Sequence, residues 1–117
     1  MTPRAVDESL DLARAFFRRH FPDERPQRAI CVSWLLDPQL VEYLPETSNI
    51  ISFQRRFALD PADAGDGGGN DAVRRFVFGE ARTPLSEQPS ASTLERAIHA
   101  HVAAGGRFLA RRGSFEL

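Results

Sequence analysis

Hydrophobic positions along the chain alternate between helical and strand-like spacing. Apolar residues first recur at steps of three and four, which predicts an amphipathic helix with Asp7 as its N-cap and Pro22 just beyond its end. The residues on its apolar face are Leu10, Ala13, Phe17 and Phe21. The segment Ala29–Leu36 is a continuous apolar run of strand length, which is typical of an interior strand covered on both faces.

Two short helices are predicted after this strand. Asp37 and Pro38 suit an N-cap and a first helical position, where the missing proline N–H costs nothing, and Pro45 ends that helix. Thr47 or Ser48 can cap the next helix. The apolar residues on one face of this second helix are Ile50, Phe53 and Phe57.

The second half of the chain contains a predicted loop, two strands and a helix. Residues 60–72 lack periodicity and bulky side chains, which predicts a mobile loop, and Val73–Gly79 returns to strand character. Ser92 and Glu95 form a capping-box pattern at the start of a helix, and residues 107–117 complete the chain as a strand. The predicted order is α-β-α-α-β-α-β, which is an α+β fold.

Composition and charge narrow the class of protein. The chain has 117 residues, 42% of them hydrophobic, which predicts a single domain over residues 1–117. Its net charge of -1 argues against a nucleic-acid binder, and it has no apolar run long enough for a membrane span. A single cysteine cannot form an internal disulfide, so we expect a cytoplasmic protein.

Two segments carry a resemblance to a known family. "SWLLDPQL" at 33–40 and "SNIISFQRRF" at 48–57 resemble the C-terminal domain of GNAT-like acyltransferases, which usually follows a separate N-terminal acyltransferase domain. The resemblance covers nearly the whole chain. It implies a mixed sheet flanked by helices and acyl-CoA or acetyl-CoA as the co-substrate.

The resemblance also implies roles for individual residues. In GNAT-type enzymes one central strand splays from its neighbour, and the pantetheine arm of acyl-CoA inserts into the gap. Ala29–Leu36 matches that strand, and Ser33 lies on it as a residue able to hydrogen-bond the cofactor. Asn49 matches the residue that bonds the pantetheine arm, and Phe53 matches an aromatic position beside the thioester.

The sequence departs from the family pattern at four places, one of them Phe108, where the family frequently has a Trp. No Gly-rich phosphate loop precedes the first helix, which instead begins with Asp7 and Glu8. The helix with Phe53 lacks a Tyr that could protonate the thiolate, and Val32 stands where the family frequently has a His. We therefore expect half of an acyl-CoA site, completed by an N-terminal half or a partner chain. The alternative is a catalytically silent interaction module, and the sequence leaves open whether the chain is an enzyme.

Three residues are candidates for catalysis, and each has a simpler structural role. Cys31 is typical of a small buried hydrophobe, and the Ser33 hydroxyl can bond a neighbouring carbonyl. His20 suits the C-terminus of the first helix, where the helix dipole favours a positive charge. His99 and His101 diverge on their helix, so we predict no metal site. The sequence does not distinguish a monomer from a homo-oligomer.

Overall fold

The computed structural model describes residues 1–61, 69–80 and 82–117. Four α-helices and three strands lie within these ranges, which confirms the α+β class. In chain order they are α1 (Pro3–His20), β1 (Arg28–Ser33), α2 (Asn49–Gln54), β2 (Ala58–Leu59), α3 (Gly69–Phe78), α4 (Thr93–Ala103) and β3 (Arg111–Glu116). Short 3-10 turns connect them at Trp34–Leu36, Pro38–Glu42 and Leu85–Glu87.

The three strands form one antiparallel sheet in the order β1-β3-β2. Cys31 of β1 lies opposite Gly113, and Ala58 of β2 lies opposite Ser114. Two expectations are corrected, because the described sheet is antiparallel throughout and β1 is an edge strand. Exposed and half-buried residues alternate along β1, so only one of its faces is covered. An apolar run indicates a strand, but it does not show how many neighbours the strand has.

The hydrophobic core lies between the turn that follows β1 and helices α2, α3 and α4. Trp34 is part of it, as the sequence predicts. The other buried members are Leu40, Leu44, Ile51, Val73, Leu85, Ala97, Ile98 and Phe108. No residue of α1 is buried. The first helix therefore lies outside this core.

The strand predicted at Val73–Gly79 is wrong, since these residues belong to α3 and the turn after it. Val73 is fully buried and Val77 packs against the same core, a spacing of four that suits a helix. A short apolar run fits both the helical and the strand repeat, and packing against the rest of the protein decides which one forms. Residues 69–72 of the predicted loop are also helical, while residues 62–68 lie outside the described part of the chain.

Helix starts follow the predicted capping chemistry in three places out of four. Asp37 and Ser48 accept hydrogen bonds from backbone N–H groups of the helices they precede, and Ser92 forms the predicted capping box with Glu95. The first helix differs, because Thr2 is its N-cap. Pro3 then occupies the first helical position, where proline is favourable. Because the helix begins at Pro3, Asp7 lies inside it and is not its cap.

Candidate functional site

The chain leaves the sheet at Ser33, the last residue of β1. The Ser33 hydroxyl oxygen accepts a hydrogen bond from the backbone N–H of Leu35 at 3.1 Å, which turns the chain into the 3-10 segment. The carbonyl partner predicted for this hydroxyl is not the one found. Among the described residues this hydroxyl donates no hydrogen bond.

The outer edge of β1 offers backbone groups that the sheet does not use. Leu117 N–H donates to the Gln27 carbonyl at 2.9 Å, which fixes the alternation of the antiparallel ladder. The backbone N–H and C=O groups of the odd-numbered residues of β1 therefore form the hydrogen bonds with β3. The N–H and C=O groups of Arg28, Ile30 and Val32 point away from it, toward a side where the described residues place no strand. The side chains of Ile30 and Val32 are 56% and 66% exposed.

Cys31 lies on the covered face of β1 and is half-buried. Burial raises the pKa of its thiol, which keeps the group protonated at neutral pH. Because the thiolate is the nucleophilic form of cysteine, this environment disfavours nucleophilic catalysis. The structure supports the interpretation of Cys31 as a small residue of the sheet.

His20 ends α1 and is exposed to solvent. Its ring lies against Phe16, with 4.6 Å between the ring centroids. Among the described residues no hydrogen bond joins His20 to Cys31 or Ser33. The three catalytic candidates therefore do not form a hydrogen-bonded set in this chain.

Asn49 and Phe53, the two cofactor candidates on α2, lie four residues apart and share one side of the helix. Asn49 is exposed, and its side chain makes no hydrogen bond with the described residues. Phe53 lines a shallow groove of about 330 Å³ together with Val6 and Leu10 of α1. The Asn49 amide therefore lies one helical turn from the apolar groove, on the side of α2 that carries Phe53. The arrangement suits a ligand with an amide next to an aliphatic chain.

Gln54 fixes α2 to the end of β1, a role that sequence analysis missed. Its side-chain amide donates to the carbonyls of Leu35 and Asp37 at 2.8 and 2.9 Å. Asp37 is fully buried, and its carboxylate accepts from the N–H of Leu109 at 2.8 Å. The sequence identified Asp37 only as a cap, and nothing local to Gln54 indicates partners 17 and 19 residues away.

The single tyrosine of the chain, Tyr43, is half-buried against the core. The Tyr43 hydroxyl lies 3.1 Å from Nδ1 of His101, and the other ring nitrogen lies 3.0 Å from the carbonyl oxygen of Arg107. His101 is buried and also contacts the Phe108 ring. This network makes His101 a satisfied core histidine, in agreement with its structural interpretation.

Two other classes of site have no candidate among the described residues. Within residues 1–61, 69–80 and 82–117, no group of three or more His, Cys, Asp or Glu side chains is placed to hold a metal ion. In the same ranges, no helix has both the length and the apolar character that crossing a membrane requires.

Comparison with known proteins decides the family. Residues 1–115 match the family described as the GNAT-like C-terminal domain. The chain belongs to this family. Comparison with curated proteins returns no match.

Solved acyltransferases are similar to this GNAT-like C-terminal domain over its whole length. One is an acyltransferase in complex with decanoyl-CoA and teicoplanin, with 45% identity and a TM-score of 0.88. Another holds CoA and 10C-teicoplanin, with 45% identity and a TM-score of 0.89. A third, a mutant in complex with octanoyl-CoA, gives 45% and 0.88. In each case the match covers 100% of this chain and 37% of the solved one.

Proposed function

We propose that this domain contributes one side of an acyl-CoA site in an acyltransferase whose other side is supplied by an N-terminal half. One observation carries the proposal. The chain is 45% identical over its full length to acyltransferases that hold CoA, octanoyl-CoA or decanoyl-CoA, and it spans only 37% of them. The co-substrate is therefore an acyl-CoA. The reaction is acyl transfer from the thioester to an acceptor such as an amine.

The described residues supply three kinds of contact for such a ligand. The outward-facing backbone of Val32 can pair with an amide of the pantetheine arm in the manner of an added strand. The free side-chain amide of Asn49 can bond a second amide. The groove beside Phe53 can receive the aliphatic part, because its described lining is largely apolar.

The assignment leaves protonation of the leaving thiolate to the other half of the site. Cys31 and Ser33 share the covered face of β1, and the half-buried Tyr43 is bonded to the buried His101. The Val32 side chain carries no titratable group. The role of this domain is therefore to bind and orient the acyl-CoA.

A hybrid chain tests the proposal. In this hybrid, residues 1–117 replace the matched part of the solved acyltransferase that binds decanoyl-CoA. We expect calorimetric titration to show decanoyl-CoA binding by the hybrid. Residues 1–117 alone should bind at least about a hundredfold more weakly, which corresponds to roughly 3 kcal/mol of missing contacts. A folded hybrid that does not bind decanoyl-CoA would contradict the proposal.

The second candidate function is a catalytically silent interaction module. The observation in its favour is Val32, which is 66% exposed and aliphatic at a position where the resemblance implies a His. A hybrid that folds and assembles but binds neither CoA nor acyl-CoA would support this second function.

A further inference from the structure

The apolar face of α1 is wider than the surface that the described residues cover. Val6, Leu10 and Ala13 are half-buried, whereas Leu12 and Phe16 are 72% and 52% exposed. Most of the stability of a helix in a protein comes from packing of its apolar face. An 18-residue helix without a buried residue therefore lacks a covering surface on one side.

Contacts with Arg56, in the turn after α2, lie on one side of α1. Asp7 pairs with Arg56 at 2.7 Å, and Arg56 also donates to the carbonyl of Pro3. Leu12 lies about 140° around the helix axis from Asp7 at 3.6 residues per turn. The exposed side therefore faces away from these contacts. We call it the outer flank of α1. It lines a shallow cavity of about 570 Å³ with Leu12, Ala13, Phe16, Arg19 and His20.

The domain has a second surface that the described residues leave uncovered. The described sheet ends at β1, whose outward backbone groups and exposed Ile30 and Val32 remain open. Isolated exposed apolar residues are ordinary on protein surfaces, but an open apolar helix flank together with an open sheet edge indicates an interface.

We propose that the outer flank of α1 docks the N-terminal half of the acyltransferase, whose apolar side chains cover Leu12 and Phe16. The occupant is argued from chain length, because the solved neighbours hold this domain as 37% of a single longer chain. If a second copy of this domain covered the outer flank, the rest of that longer chain would not be needed for this contact. The inference rests on the proposed function, since both invoke the same N-terminal half.

Two matched variants test the docking surface. Leu12→Gln replaces a Leu that is 72% exposed, and Phe76→Gln replaces a Phe on α3 that is 79% exposed. In residues 1–117 alone, both should leave the melting temperature nearly unchanged. In the hybrid chain, Leu12→Gln should lower it by about 4 °C or more, because a buried apolar contact is lost, and Phe76→Gln should not.

Three results would overturn the docking surface. The first is a hybrid in which Leu12→Gln has no effect or acts no differently from Phe76→Gln. The second is a dimer of residues 1–117 in analytical ultracentrifugation that Leu12→Gln dissociates, because the occupant would then be a second copy. If the hybrid does not fold, the same test is made in the solved acyltransferase, by changing to Gln the two residues aligned with Leu12 and Phe76. The third result is that these two substitutions lower the melting temperature of that acyltransferase equally.

The decanoyl-CoA titration separates this inference from the proposed function. A folded hybrid that binds decanoyl-CoA but is insensitive to Leu12→Gln contradicts the docking surface alone. A hybrid that is sensitive to Leu12→Gln but does not bind decanoyl-CoA contradicts the acyl-CoA site alone.

Discussion

Two adjacent residues at the start of α2 have separate tasks. Ser48 accepts a hydrogen bond from Ile50 N–H and caps the helix, whereas the Asn49 side chain is exposed and bonds no described residue. A side chain that contributes nothing to local structure is available for a ligand. This contrast makes the pair a direct test of the acyl-CoA site.

Asn49→Ala should weaken decanoyl-CoA binding by the hybrid chain by about 1 to 3 kcal/mol, the usual cost of leaving a ligand amide unpaired. Its melting temperature should change little, because Ala is a good helix former. Ser48→Ala is the control and should lower stability by about 1 kcal/mol with unchanged affinity. Calorimetric titration and thermal melts of both variants measure these effects. Equal affinities for Asn49→Ala and the unsubstituted hybrid would remove Asn49 from the site.

Glu80 should make stability depend on pH. The hydrogen bond from Gln88 and those from the backbone N–H groups of Thr83 and Arg82 lower its pKa. The charged form is therefore favoured by folding, and this stabilisation is present above the ordinary glutamate pKa of about 4.3 and lost as the pH falls through the lower folded value. The melting temperature of Glu80→Gln should lie below that of the unsubstituted chain at pH 7. The difference should shrink below about pH 4. A difference that stays constant from pH 7 to pH 3 would contradict this account.

At the scale of whole elements, α3 is placed by its first residue. Gly69 is buried, and a Cβ atom there would overlap the Phe108 carbonyl group. The next residue, Asn70, accepts from the Phe108 N–H at 2.8 Å. The start of α3 therefore contacts the backbone that leads into β3.

Gly69→Ala should destabilise the domain by more than Gly79→Ala. The latter places a side chain in open space at positive φ, at a cost of about 1 to 2 kcal/mol. The former must displace backbone and should cost about 3 kcal/mol or more. Urea unfolding of the two variants compares them. A smaller loss for Gly69→Ala would show that the helix start and Phe108 can separate easily.

Sequence patterns predict elements whose signals are local. The capping box at Ser92, the Asp37 cap and the strand character of β1 follow from residues a few positions apart, and the structure confirms them. The identity of α3 as a helix depends on packing against Phe108, far along the chain, so periodicity alone gave the wrong period. The hydrogen bond from Gln54 to the Leu35 carbonyl also joins residues that are far apart in the sequence, so a local pattern does not predict it. The family resemblance identified Asn49 and Phe53, but their roles in binding stay predictions.

For the molecule as a whole, we predict that residues 1–117 alone do not catalyse appreciable acyl transfer. Transfer requires the thioester carbonyl, the acceptor and oxyanion donors to be held in contact, and binding energy from the distant nucleotide helps to hold them. The second turn of α1 carries Asp7 and Glu8, whose negative charges disfavour a phosphate there. An assay of thiol release from acetyl-, octanoyl- and decanoyl-CoA with a panel of amines tests this prediction. Robust turnover by this chain would contradict the half-site interpretation.

Pairing between β1 and β3 has a consequence for how the domain folds. Residues 28–33 have their one described strand neighbour in residues 111–116, so the sheet contains no local hairpin through which β1 could form early. Closing so long a loop before any contact forms slows folding. During synthesis from the N-terminus, β1 could not pair with β3 until nearly the whole domain had left the ribosome. Both of its edges would stay open to wrong partners in that interval.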